Sequence, residues 1–93
     1  MKDLDDNSVR SFIRDNEKCV VMFGASWCMP CKMLKPQMEK LNKENIAYID
    51  VEETSLSATL EIRGVPTLIC FADGKEVARA HKLNDQIQDF LEL

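Results

Sequence analysis

Two cysteines, Cys28 and Cys31, stand where the periodicity of this sequence changes. Before them, residues 19–23 form an unbroken apolar run, which is typical of a strand that is covered on both faces. After them, apolar residues recur at helical spacing between residues 33 and 41. Two cysteines three positions apart at a strand–helix junction are close enough to form a disulfide. The pair therefore predicts a redox motif.

A Cys-x-x-Cys pair is also half of a structural zinc site, which needs four ligands. The other candidate ligands are Cys19, Cys70 and the single histidine, His81, and there is no second Cys-x-x-Cys. The redox interpretation is therefore favoured over zinc binding, and we expect no metal and no organic cofactor.

Four cysteines can also indicate a disulfide scaffold. Cys19 and Cys70, however, each lie inside an apolar run, where cysteine packs as a small hydrophobic residue. We therefore expect core thiols at both positions. For Cys70, a regulatory thiol near the surface is the alternative.

The length and composition limit the class of protein. Ninety-three residues predict one domain, 1–93, and a chain that is 45% hydrophobic and 30% charged is of ordinary globular composition. A net charge of −4 argues against nonspecific nucleic-acid binding, which needs a basic face. No apolar run approaches the roughly 18 residues of a membrane span. The first six residues are acidic and do not resemble a secretory signal, so we expect a cytoplasmic protein.

The apolar pattern predicts the order helix, strand, helix, strand, helix, strand, strand, helix. The expected strands cover residues 19–23, 46–51, 67–71 and 76–80, with a hairpin at Asp73–Gly74 between the last two. The first helix is expected from Asn7, capped by Asn7 or Ser8, and the second over 29–43. A short third helix should carry Leu56, Leu60 and Ile62 and be closed by Gly64, and the last helix should be capped by Asn84 with Ile87, Phe90 and Leu91 facing inward. This order predicts an α/β sheet with one parallel part and one antiparallel edge.

The motif residues Trp27, Cys28, Pro30, Cys31 and Lys32, followed much later by a Val-Pro-Thr at 65–67, resemble the thioredoxin family. The resemblance covers about residues 12–91. It implies the thioredoxin fold, in which helices flank a central mixed sheet. We expect four strands here, because only residues 1–4 are available for the family's usual first strand, which should be short or missing.

The resemblance implies a role for each residue of the motif. Cys28 lies at a helix N-terminus, where the helix dipole and free N–H groups favour an exposed, nucleophilic thiolate, and Cys31 can reach back to resolve a mixed disulfide. Trp27 is expected to flank the site and contact partners, with plain packing as the alternative. Pro30 tunes the reducing power in the family, and Met29 replaces the usual glycine.

Val65 and Pro66 match the family's loop with a cis-proline. The resemblance implies that this loop lies against the cysteines, that it keeps metals from the dithiol, and that the Val65 backbone pairs with an extended substrate strand.

The chain departs from the family at two further positions. Met22 stands where thioredoxins carry a buried aspartate that assists proton transfer at the resolving cysteine. Because methionine cannot take a proton, water or another group must serve, or the resolving step is slower. Ala80 or His81 replaces the glycine of the family's docking groove, which would narrow or reshape the groove. His81 is otherwise expected to be a solvated surface residue. Lys32, Lys35, Lys40 and Lys43 form a basic side of the helix that follows the motif; Lys32 is expected to add to thiolate stability, and the other three are expected to form a solvated face.

These observations predict a protein-disulfide reductase that acts as a general cytoplasmic electron donor. The resemblance implies a monomer, protein substrates with accessible disulfides, and an NADPH-dependent thioredoxin reductase that recycles the oxidised form. Two alternatives remain open: a dedicated redox partner of one enzyme, such as a ribonucleotide reductase, and a non-catalytic subunit that uses the fold for binding.

Overall fold

The buried apolar runs of this chain form the middle strands of a single sheet. A computed structural model describes residues 1–92, in which the sheet is the central layer between two layers of helices. The elements in chain order are β1 (Lys2–Asp3), α1 (Asp6–Asp15), β2 (Lys18–Gly24), α2 (Met29–Lys40), β3 (Ile46–Asp50), a 3-10 turn (Val51–Glu53), α3 (Leu56–Thr59), β4 (Thr67–Ala72), β5 (Lys75–Ala80) and α4 (Asp85–Glu92).

The strands lie in the order β1-β3-β2-β4-β5. β3 is parallel to both β1 and β2, whereas β4 is antiparallel to both β2 and β5. A parallel pair needs a crossover connection, and α2 supplies the one between β2 and β3. The turn from β2 into α2 therefore lies at the carboxyl end of the central strand.

Alternate residues of β2 pack into two separate cores. Val20 and Met22 belong to the core beneath α2 and α4, whereas Val21 and Phe23 belong to the core beneath α1. All four side chains are fully buried. This two-sided burial explains why the strand has no polar alternation, as predicted.

The structure corrects the expected number of strands from four to five. The first strand is short but present: Lys2 and Asp3 pair with Ala47 and Tyr48 of β3. The Leu4 N–H then donates to the Tyr48 carbonyl oxygen at 2.8 Å.

The first helix is capped by Asp5 and not by Asn7 or Ser8. The Ser8 N–H donates to Asp5 Oδ1 at 2.8 Å, and the Asp5 N–H donates to Ser8 Oγ at 2.9 Å. This reciprocal pair is a capping box with serine at its third helical position.

Two helices end earlier than the sequence predicts, at residues with positive φ. α2 ends at Lys40 and not at residue 43, with Asn42 at φ 50°. α3 ends at Thr59, and Glu61, not Gly64, takes the left-handed conformation with φ 53°. The Ile62 N–H donates to the Ser57 carbonyl oxygen at 2.8 Å, which closes the helix as in a Schellman motif.

The predicted hairpin and the predicted cap of the last helix are confirmed, and the inward face of that helix is confirmed except at Phe90. Asp73 and Gly74 have φ angles of 52° and 80°, as a type I′ hairpin requires. The Ile87 N–H donates to Asn84 Oδ1 at 2.9 Å, so Asn84 caps α4. Ile87 and Leu91 are buried, whereas Phe90 is only partly buried. No helix within residues 1–92 is long and apolar enough to cross a membrane.

Candidate active site

The cysteine pair lies in the turn between β2 and the first turn of α2. Cys28 and Cys31 form a disulfide with a Cα–Cα distance of 5.3 Å. Spacing of three residues at the start of a helix brings the two side chains onto one face. The predicted redox pair is thus assembled by local structure alone.

Cys28 is the N-cap of α2, and its sulfur takes the place of the usual oxygen. Its backbone is extended (φ −90°, ψ 111°), and Cys28 Sγ accepts a hydrogen bond from the Cys31 N–H at 3.2 Å. Pro30 occupies the first helical turn, where a missing N–H costs nothing. The unpaired N–H groups and the dipole of α2 therefore act on Cys28 Sγ more directly than on Cys31.

The two sulfurs are covered in the disulfide form. Cys28 is 4% exposed and Cys31 is 3% exposed, so the expectation of an exposed thiol at Cys28 is wrong for this form. The reason is that both side chains turn into the core that contains Met22 and Leu34.

The neighbours of the disulfide are exposed instead. Trp27 is 67% exposed and Met29 is 65% exposed, which excludes plain packing as the role of Trp27. On the same helix, Met33 is equally exposed, four residues after Met29. We refer to these three exposed apolar side chains as the apolar rim.

The loop before β4 lies against Cys28. The Val65–Pro66 peptide bond is cis, and the Val65 carbonyl oxygen lies 3.7 Å from Cys28 Sγ. A shallow groove of about 160 Å³ runs beside this loop, lined by residues that include Trp27, Arg63 and Val65. The structure thus brings Trp27, Cys28 and the 65–66 loop together.

His81 also contacts this loop, and the resemblance had placed Ala80 or His81 at the docking groove. Its ring is exposed, but Nδ1 lies 3.2 Å from the Pro66 carbonyl oxygen and 3.5 Å from Thr67 Oγ1. Since a carbonyl oxygen only accepts, a hydrogen bond in this contact requires the tautomer with the proton on Nδ1. His81 is therefore attached to the loop, whereas Ala80 is the last residue of β5 and pairs with Leu68.

Met22 is fully buried and is the register partner of Tyr48. On this side of the disulfide lies a cavity of about 410 Å³, lined by residues that include Cys31, Lys35, Tyr48 and Asp50. Sequence reasoning missed these polar residues, because their position depends on the pairing of β2 with β3. The expectation of a solvated lysine face is wrong for Lys35, whose Nζ lies 2.9 Å from the Asp3 carboxylate.

The other two cysteines are core thiols, which excludes a surface position for Cys70. Cys19 and Cys70 are fully buried and lie in the two different cores. Burial raises the pKa of each thiol to about 11. Within the described part of the chain, no three His, Cys, Asp or Glu side chains are grouped to hold a metal ion.

Comparison with known proteins gives one consistent result. The thioredoxin family model matches residues 1–92. The thioredoxin of Chlamydia pneumoniae is 46% identical over 72 residues, which cover 72% of this chain and 71% of that protein. The thioredoxin of Staphylococcus saprophyticus is 45% identical over 64 residues, which cover 62% of each chain, less than two thirds of that protein's length. A mutant thioredoxin from Halobacterium salinarum superposes with a TM-score of 0.82 at 35% identity, covering 99% of this chain and 87% of that one.

Proposed function

This chain belongs to the thioredoxin family and is a thiol–disulfide oxidoreductase, and from this premise we propose that Cys28 is its nucleophile and Cys31 its resolving thiol. The observation that carries the assignment is the hydrogen bond from the Cys31 N–H to Cys28 Sγ. An N–H that donates to a sulfur at a helix N-terminus favours the thiolate, which is the reactive form.

The reaction proceeds in two exchange steps. In the first, the Cys28 thiolate attacks a substrate disulfide, forms a mixed disulfide and releases one substrate sulfur as a thiolate. In the second, Cys31 loses its proton and attacks Cys28 Sγ. The Cys28–substrate bond breaks, the second substrate sulfur leaves with the electron pair, and the Cys28–Cys31 disulfide seen here remains. The substrate gains two electrons and takes two protons from solvent and the protein.

The surface beside Cys28 provides the docking site for the substrate. Trp27 and Met29 are exposed apolar side chains on one side, and Val65 and Pro66 form the other side. Pro30 keeps the first turn of α2 in place between the cysteines. An extended substrate segment pairs with the Val65 backbone and rests its side chains on the apolar rim.

The substrates are proteins with accessible disulfides, and the oxidised form is recycled by an NADPH-dependent thioredoxin reductase. The protein acts as a monomer in the cytoplasm. Two unpaired buried cysteines, Cys19 and Cys70, support a reducing compartment, since thiols persist there. Cell fractionation tests the location, and the rate of NADPH consumption with a purified thioredoxin reductase tests the partner.

The test of the reducing role is the reduction potential of the Cys28–Cys31 pair, measured by equilibration with glutathione buffers. A value near the roughly −270 mV that is typical of thioredoxins supports a general reductant. A value of about −200 mV or above contradicts it and indicates an oxidising or glutaredoxin-like role.

Two single variants test the roles of the cysteines. Cys31→Ser is expected to accumulate a mixed disulfide with substrate, because Cys28 still attacks and nothing resolves the product. Cys28→Ser is expected to form no such adduct under the same conditions. Accumulation of the adduct in Cys28→Ser and not in Cys31→Ser would reverse the assignment.

A further inference from the structure

The proton of the resolving thiol needs a route out of the protein. Cys31 is 3% exposed, and a thiol buried among apolar side chains holds its proton. The thiolate is the attacking form, so the second exchange step requires this proton to leave. Met22 is fully buried on the same side of the sheet and has no group that accepts a proton.

The cavity of about 410 Å³ on this side of the disulfide is the route that the fold provides. It is lined by Cys31 and by Tyr48, and a space of this size holds several water molecules. Polar and charged side chains line this cavity, so water molecules inside it can form hydrogen bonds with the protein.

Tyr48 presents its hydroxyl to the same gap as Cys31. A Cβ atom at Gly24 would lie 3.1 Å from Tyr48 Oη and 3.3 Å from Cys31 Sγ. Both atoms thus lie beside the same point, near enough to each other for one or two water molecules to connect them. The absence of a side chain at Gly24 keeps this gap open.

Lys35 holds the tyrosine ring in position. Its Nζ lies 4.1 Å from the centre of the Tyr48 ring and 2.9 Å from the Asp3 carboxylate. The ring is therefore fixed between α2 and β1. The charged groups around the phenol come from each neighbouring element: Asp3 on β1, Lys32 and Lys35 on α2, Asp50 on β3, and Glu53 in the 3-10 turn.

We propose that Tyr48 is the residue that positions water and passes the proton from Cys31 to solvent during the resolving step. Through water in the cavity, Tyr48 Oη accepts the proton of Cys31 as it releases its own towards solvent and the Asp50 carboxylate. Cys31 then attacks Cys28 Sγ, and the substrate sulfur leaves as described above. Because Tyr48 gains one proton and loses one, its hydroxyl is protonated again at the end of the step.

The phenol acts as a relay and does not hold charge. Burial, then the neighbouring carboxylates of Asp50, Asp3 and Glu53, raise the pKa of Tyr48 above its ordinary value. The hydroxyl therefore stays protonated at neutral pH. This inference rests on the roles proposed for Cys28 and Cys31.

Tyr48→Phe tests the relay, because it keeps the ring beneath Lys35 and removes only the hydroxyl. The reduced protein is mixed with dithiobis(nitrobenzoate) in a stopped-flow instrument. The first release of thionitrobenzoate reports attack by Cys28, and the second, independent of reagent concentration, reports resolution by Cys31. We expect the first phase to change less than twofold and the second to slow at least about tenfold at pH 6. At alkaline pH the second phase of Tyr48→Phe should be as fast as that of the wild-type protein, because hydroxide removes the proton of Cys31 directly.

Thr54→Val is the matched control, since it removes a hydroxyl that bonds to Asp6 and does not line the cavity. It should leave both phases unchanged. An unchanged second phase at every pH in Tyr48→Phe would overturn the proposal. Loss of the fast first phase in the wild-type protein would instead contradict the proposed function.

A second measurement does not depend on a variant. Tyr48 is the only tyrosine of the chain, so the ultraviolet absorbance of the phenolate reports it alone. Titration of the oxidised and reduced proteins should give different midpoints, because Cys31 titrates only when reduced. Identical midpoints would show that the two groups are not coupled and would also overturn the proposal.

Discussion

The carbonyl oxygen of Val65 lies 3.7 Å from the sulfur of Cys28, although 37 residues separate them. The contact places the backbone of the 65–66 loop directly beside the sulfur that we assign as nucleophile. Among the hydrogen bonds of residues 1–92, none uses the Val65 N–H. A backbone donor beside a reactive sulfur suits an extended peptide that brings its own disulfide to Cys28.

A substrate peptide methylated on one backbone amide tests this arrangement. N-methylation next to the substrate cysteine should lower kcat/KM about two- to tenfold, because one hydrogen bond contributes about 0.5–1.5 kcal/mol. The matched control is methylation of the adjacent amide, which points to the opposite side of an extended chain. If both peptides react alike, the Val65 backbone does not pair with substrate.

The sequence predicted the cysteine site well because that site is local. The change from an apolar run to helical spacing located the turn after β2, and a spacing of three residues was enough to bring Cys28 and Cys31 together. Val65 and Pro66 could be placed beside them only through the resemblance to thioredoxins, since no local pattern relates residues so far apart.

The sequence could not predict features that depend on strand register or on unusual backbone. Tyr48 lies beside the disulfide only because it pairs with Met22 across β2 and β3, and a one-residue shift would turn it to the other face. Glu61 and Asn42 take positive φ where glycine is the usual signal, so both helix ends were placed too late.

The buried cysteines predict a two-class pattern of thiol reactivity. At pH 8 the reduced native protein should react with iodoacetamide at Cys28, whereas Cys19 and Cys70 should stay unlabelled, because burial raises the pKa of each to about 11 and few of them are thiolates. Mass spectrometry after unfolding in guanidinium chloride should then find all four modified. In Cys19→Ala, the native pattern should be unchanged and the unfolded protein should carry one label fewer. Rapid labelling of Cys70 in the native protein would contradict its place in the core.

The link between Asp6 and Thr54 predicts a pH-dependent contribution to stability. Thr54 Oγ1 donates to Asp6 Oδ1 at 2.6 Å, and this bond is the main cause that lowers the pKa of Asp6 from its ordinary 3.8. A lowered pKa in the folded state means that the stabilisation is complete above pH 3.8 and is lost as the pH falls through the folded value. Thr54→Val should therefore lower the urea midpoint more at pH 7 than at pH 3.

The control for this prediction is Ser55→Ala. It removes a hydroxyl that accepts from Arg10 but keeps the Ser55 N–H that donates to Asp6. Its effect on the urea midpoint should be small and the same at both pH values. An equal loss at pH 7 and pH 3 in Thr54→Val would show that the Asp6 carboxylate does not contribute through this bond.

A methyl group at Gly24 should be costly because the space beside it is already filled. A Cβ there would lie 2.8 Å from Tyr48 Cε2 and 3.3 Å from Cys31 Sγ, and the ring cannot move freely because Lys35 covers it. Gly24→Ala should lower the free energy of unfolding by about 1–3 kcal/mol, as overpacking of a core does. At Gly64 nothing lies within 4 Å of the added atom, so Gly64→Ala should be neutral or stabilising by about 0.4–1 kcal/mol. Urea denaturation of the oxidised proteins measures both, and equal stabilities would mean that Tyr48 and Cys31 do not meet beside Gly24.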